Sequence, residues 1–162
     1  MNKIKIELKW AVIFVLFTLL WMVFEKAMGW HDEFIADHAT YTLLFSLPAV
    51  VLYVLALRDK KINYYQGKMS WGQGMICGLI ISAFVALISP LSQYITHTFI
   101  TPDYFENAIH YSVESGQSTQ SEADEYFNLK SYIFQSAIGA FVMGVVTSAI
   151  VSLFLKSKSE KR

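Results

Sequence analysis

The stretch SWGQGMICGLIISAFVALISPLSQYIT, residues 70 to 96, runs for 27 residues without a charge. At about 1.5 Å per residue it is long enough to cross a hydrocarbon core of roughly 30 Å with some tilt. Ser70 and Gln73 have the spacing of a capping box, which predicts a helix starting at the membrane surface. Inside it, Gly74, Gly78, Ser82 and Ala86 recur every fourth residue. Small side chains at that interval form a ridge on which another helix packs closely in lipid. The stretch therefore predicts an all-α, polytopic membrane protein.

Three further apolar runs complete the pattern. The predicted spans are residues 9–28, 39–57, 70–96 and 131–155, and residues 97–130 form an amphipathic helical cap between spans three and four. All 162 residues then make one integral membrane domain, a four-transmembrane-helix bundle. Hydrophobic residues are 54% and charged residues 16%, against about 25% charged in ordinary soluble domains. The first run follows Lys3, Lys5 and Lys9 and resembles a signal peptide, with Ala27-Met28-Gly29 as a weak cleavage site. Glu25 and Lys26 interrupt the approach to that site, and three more spans follow, so the run is read as a helix. Lys9 and Lys26 are expected to snorkel, and Trp10 and Trp30 to sit at the two interfaces. Pro48, near the middle of the second run, predicts a kink. In the cap, Thr101-Pro102 is a helix-start signal and Gly116 a stop. Thr119 and Glu122 cap a second helix, which is expected to continue into the fourth span.

Charge distribution sets an expected orientation. Eleven of the thirteen lysines and arginines lie in the N-terminal segment, the connection from Arg58 to Met69 and the tail. Ten of the thirteen acids lie on the opposite side. The positive-inside rule then puts both termini in the cytoplasm and the acidic cap outside. No basic face for nucleic acid appears. The single Cys77 excludes an intrachain disulfide and reads as a buried thiol.

Candidate chemistry gathers on the outer side, where His31, His38, His97 and His110 all fall. Histidine and carboxylate together suit Zn²⁺ or another divalent ion. No pair has the His-x3-His spacing of a helical zinc site, so the expectation is solvated or interfacial histidines and no metal. Glu25 is the one acid near the hydrocarbon. Sixteen steps from Lys9, about 24 Å along a helix, place it near the outer edge, where snorkelling or pairing with Lys26 or a neighbouring helix is expected. No Gly-x-Ser-x-Gly setting and no phosphate loop occurs, so neither enzyme activity nor a cofactor is expected.

The fourth span carries its own small-residue ridge: Ser136, Ala140, Gly144, Ser148 and Ser152. Aligning Trp71 with Leu155 in an antiparallel pair sets Gly74 against Ser152, Gly78 against Ser148, Ser82 against Gly144 and Ala86 against Ala140. Close approach and a serine hydroxyl bond between the helices are expected.

The basic connection before Ser70-Trp71-Gly72-Gln73-Gly74 and Gly78, the run Ile100-Thr101-Pro102-Asp103-Tyr104 and the polar stretch Gln117 to Glu125 resemble domain-of-unknown-function family 4199. These are small four-helix membrane proteins frequent in Bacteroidetes. The resemblance implies a bacterial inner-membrane location and supplies no activity or catalytic residue. The first expectation is a non-enzymatic accessory or interaction protein whose partners are the lipid bilayer and a membrane protein or a second copy. The alternatives are a small transporter or channel subunit and an outer-face sensor of metal or pH.

Overall fold

Residues 4–157 are described by the computed structural model. Their regular structure is entirely helical, and four helical segments are long and apolar enough to cross a membrane. The elements are α1 (Lys5–Ala27), α2 (His38–Tyr41), α3 (Ser46–Asn63), α4 (Trp71–Ile95), α5 (Tyr104–Glu114), α6 (Gln120–Tyr126) and α7 (Leu129–Leu155). Lys3 and residues 158–162, part of the charge bias, lie outside the described residues.

The first span begins at Lys5, four residues earlier than expected, and the second is longer at both ends. Short 3₁₀ turns, Ile35–Asp37 and Thr42–Phe45, join α2 to its neighbours, giving one span over Ile35–Asn63. Pro48 lies near the middle of that span, just after the 3₁₀ turn that interrupts its α-helical geometry. It occupies the first turn of α3, where backbone N–H groups have no intrahelical partner. Pro90 lies inside α4, and the carbonyl its missing N–H would have taken, that of Ala86, accepts from Ser89 Oγ at 2.9 Å.

Helix α4 opens with both halves of the Ser70–Gln73 capping box. Beyond Ile95 it widens into a π-helical turn, Thr96–Ile100, which keeps His97 on the span. The cap helices start at Tyr104 and Gln120, the second with a Thr119–Glu122 capping box. Helix α6 does not run on into the fourth span. Phe127 and Asn128 break it, and Asn128 accepts from Ser131 N at 2.9 Å to cap α7.

The most extensive helix contact is α4 against α7. A Cβ on Gly74 would lie 2.6 Å from Ser152 Oγ; one on Gly78 would fall within the Ser148 side chain, and one on Gly144 within Ser82 and the Tyr53 hydroxyl. These three pairs share one antiparallel register. Ala86 and Ala140 are half-buried farther along the helices. The serine hydroxyls do not bridge the two helices. Ser82 and Ser148 donate to the carbonyls of Gly78 and Gly144 in their own helices, at 2.8 and 2.6 Å. Cross-helix bonds come instead from α3, with Tyr53 OH 2.8 Å from Ser82 Oγ, and from Trp71 Nε1 on α4, which donates to the carbonyl of Ala149 on α7 at 3.0 Å.

Around this seam sit Ala11, Val15, Leu57, Cys77, Ile81 and Val151. The perimeter is apolar: Leu47, Leu87 and Phe154 are 67%, 75% and 83% exposed, as helices facing hydrocarbon require. At the end that carries the Arg58–Met69 connection, Glu7 and Lys60 form a buried ion pair at 2.8 Å. Lys60 also lies over the Tyr64 ring. Lys9 and Trp10 both bond Asp59, and Lys61 Nζ donates to the carbonyl of Leu155 at the end of α7.

Candidate functional site

At the opposite end, which we term the cap end, α1 stops in a Schellman turn. Gly29, with φ +74°, donates to the carbonyl of Lys26, and Trp30 N donates to that of Glu25 at 3.1 Å. A left-handed residue is required there, and glycine supplies it without a Cβ penalty. The turn folds the chain back over the last turn of α1, so His31 lands on Glu25. Trp30 is buried with it, stacked on Tyr41 and edge-on to Phe24.

Glu25 has no exposed surface. One carboxylate oxygen, Oε1, accepts from Trp21 Nε1 at 2.6 Å. The other, Oε2, faces His31 Nε2 at 3.0 Å and His38 Nε2 at 3.5 Å. Of the expected outcomes, snorkelling and pairing with Lys26 give way to burial and pairing with a neighbouring helix, α2, through His38. The partners are a tryptophan one turn back and two histidines from the following connection. The three ligand-type atoms of Glu25, His31 and His38 all lie within 4.8 Å of one another.

The cap supplies the other wall. Tyr104, at the start of α5, places its hydroxyl 3.4 Å from His38 Nδ1 and 3.0 Å from the hydroxyl of Tyr132 on α7. Burial pushes the Tyr104 phenol up to about 12, so it stays neutral at ordinary pH. Asn107 Nδ2 donates to the carbonyl of His31 at 3.0 Å, tying α5 to the turn. His97 stacks on Phe105 with ring centroids 4.1 Å apart, and its Nε2 is 3.1 Å from Gln93 Oε1. Glu25, His31, His38, Gln93, His97, Tyr104 and Tyr132 line a cavity of about 750 Å³, which Gln117, Gln135 and Thr42 also border. Two buried ring nitrogens, His31 Nδ1 and His97 Nδ1, have no hydrogen-bond partner.

Of the residues singled out in the sequence, Glu25, His31 and His38 converge and His97 lines the same cavity. His110 stands apart. It is solvent-exposed and faces Glu114 one turn along α5 at 3.3 Å. The small-residue positions Gly74, Gly78, Ser82, Gly144, Ser148 and Ser152 serve the α4–α7 seam. Trp21, Tyr104, Tyr132 and Gln93 were not singled out as site residues. Tyr104 belongs to the segment read only as an amphipathic cap. The available signal was Gly29 followed by an apolar residue after an acid-bearing helix end, the pattern of a Schellman turn.

A family model described as protein of unknown function (DUF4199) matches residues 9–157, and the chain belongs to that family. No curated protein and no solved structure is a match.

Proposed function

We propose, proceeding from membership in a family of unknown function, that this is a non-enzymatic, multi-pass protein of the bacterial inner membrane that binds a small polar or cationic ligand in its outer cavity. The lysine and arginine bias supports an orientation with both termini cytoplasmic and the cap outside. In that orientation the cavity faces the periplasmic side. The apolar perimeter suits lipid and, at one face, a neighbouring membrane protein or a second copy. The role is accessory: ligand occupancy at the cap end is passed on through the helices that line the cavity.

The observation that carries this reading is the wholly buried Glu25 carboxylate, one oxygen of which faces both His31 and His38 in the lining of a 750 Å³ cavity. A carboxylate taken out of water costs several kcal/mol unless its charge is met. A cationic or hydrogen-bond-donating ligand beside the carboxylate lowers that cost. Transport would place titratable groups along a continuous path. Here the acids and histidines concentrate at the cap end, which favours a binding site over a conduit.

The test is thermal unfolding of the protein in mild detergent, scanned against ZnCl₂, histamine, spermidine and the free amino acids. At least one compound should raise the midpoint by several degrees in the wild type and by little in Glu25→Gln. If no compound shifts the wild type, or if the shift persists unchanged in the variant, the cavity is not a ligand site.

A further inference from the structure

We propose that the cavity's ligand is a divalent first-row transition ion of the zinc type, held by Glu25, His31 and His38. This rests on the reading of the cavity as a binding site and names its occupant. With metal–ligand distances of about 2.0–2.1 Å and tetrahedral angles, two ligand atoms stand about 3.3–3.4 Å apart. Glu25 Oε2 lies 3.0 Å from His31 Nε2 and 3.5 Å from His38 Nε2, which brackets that value. Two of the three separations thus match ligands around one ion, and all three ligand-type atoms lie within 4.8 Å of one another.

The donor set is selective. Two imidazoles and one carboxylate suit zinc, cobalt or nickel, whereas Mg²⁺ and Ca²⁺ prefer oxygen alone. Two histidines and a carboxylate also leave a fourth position open, here on the cavity side. The surroundings orient the ligands as an outer shell does. Trp21 fixes Oε1 and leaves Oε2 as the converging oxygen. The Tyr104 hydroxyl lies 3.4 Å from His38 Nδ1, placed to accept its N–H and leave the Nε2 lone pair aimed at the site. The turn that carries His31 is fixed by Gly29 and by Asn107. These ligands are not the products of chance crowding on an acidic surface: Glu25 and His31 are 0% and 4% exposed.

Titration with Co²⁺ after chelator dialysis, in mild detergent at neutral pH, tests the assignment. The visible d–d absorption of four-coordinate Co²⁺ should appear to one equivalent and be bleached by Zn²⁺. His38→Gln should abolish it, Tyr104→Phe should weaken affinity about 10-fold, and His110→Gln should leave it unchanged. Because loss in His38→Gln could reflect misfolding, His38→Cys supplies a second readout. It should restore binding and add a thiolate-to-cobalt charge-transfer band. Absence of the wild-type spectrum, or an unchanged spectrum in His38→Gln, overturns the assignment. If the spectrum is absent while histamine, spermidine or an amino acid still stabilises the wild type but not Glu25→Gln, the metal fails and the ligand cavity stands. If neither effect is seen, both fail.

Discussion

A carboxylate stripped of water costs several kcal/mol unless its charge is met, and among the described residues two are buried, one near each end of α1. Glu25 is met by an indole and two histidines. Glu7 is met by Lys60, with Glu7 Oε2 left without a partner. The second pair gives a clean prediction, because burying a matched pair is close to neutral while breaking it is not. Lys60→Met alone should destabilise the protein by about 3–5 kcal/mol, and Glu7→Leu combined with Lys60→Met should recover most of that loss. Equilibrium unfolding in detergent measures both. Equal losses in the single and double variants would show that the pair is not the reason for the cost. At this scale the sequence was only partly legible. Glu25 stood out by its position, and the histidines by their side of the membrane. Their convergence depends on a reversal at Gly29 that a count of residues along a helix does not reveal. Glu7 and Lys60 fell outside the predicted spans, 9–28 and 39–57, because the helices begin earlier and end later than that reading has them.

Helix pairing is where close approach decides the outcome. Gly78 and Gly144 leave no room for a side chain: Ser148 occupies the space beside one, Ser82 and Tyr53 the space beside the other. Gly139, on the same helix as Gly144, has nothing within 4 Å of where a Cβ would stand. Overpacking typically costs about 1–3 kcal/mol and more where backbone must part. Gly78→Leu should therefore lower the unfolding midpoint strongly, while Gly139→Leu should leave it unchanged or slightly raised, since leucine is the better helix former. Comparable losses in both variants would mean that the helix surface as a whole, rather than the seam, is sensitive. The ridges, the Ser70 and Thr119 caps and the Gly116 stop could be read from spacing alone because each is set by residues within one or two turns. The break at Phe127–Asn128 was missed because an asparagine cap looks, in sequence, like one more polar residue on a continuing helix. The hydroxyl bonding was misassigned for a related reason. A serine on a packed helix can satisfy its own i−4 carbonyl as readily as a partner across the seam.

For the whole molecule, the layout of four apolar helices places the Arg58–Met69 connection at one end and the α5–α6 cap, with its histidine-lined cavity, at the other. That division was visible in the sequence as charge asymmetry, because lysine and arginine placement reflects insertion as well as packing. The cavity itself was not visible, since it is assembled from α1, the α2 segment, α4, α5 and α7, elements distant in the chain. The account depends on that cavity opening to the outer side. The most direct measurement is labelling of a cysteine at Gln117, on the cavity rim, in a Cys77→Ser background, using a membrane-impermeant maleimide on intact spheroplasts. Labelling should be complete without permeabilisation, and a cysteine at Asn63 should stay unlabelled until the membrane is opened. Labelling of position 117 only after permeabilisation would put the cavity in the cytoplasm and contradict the account.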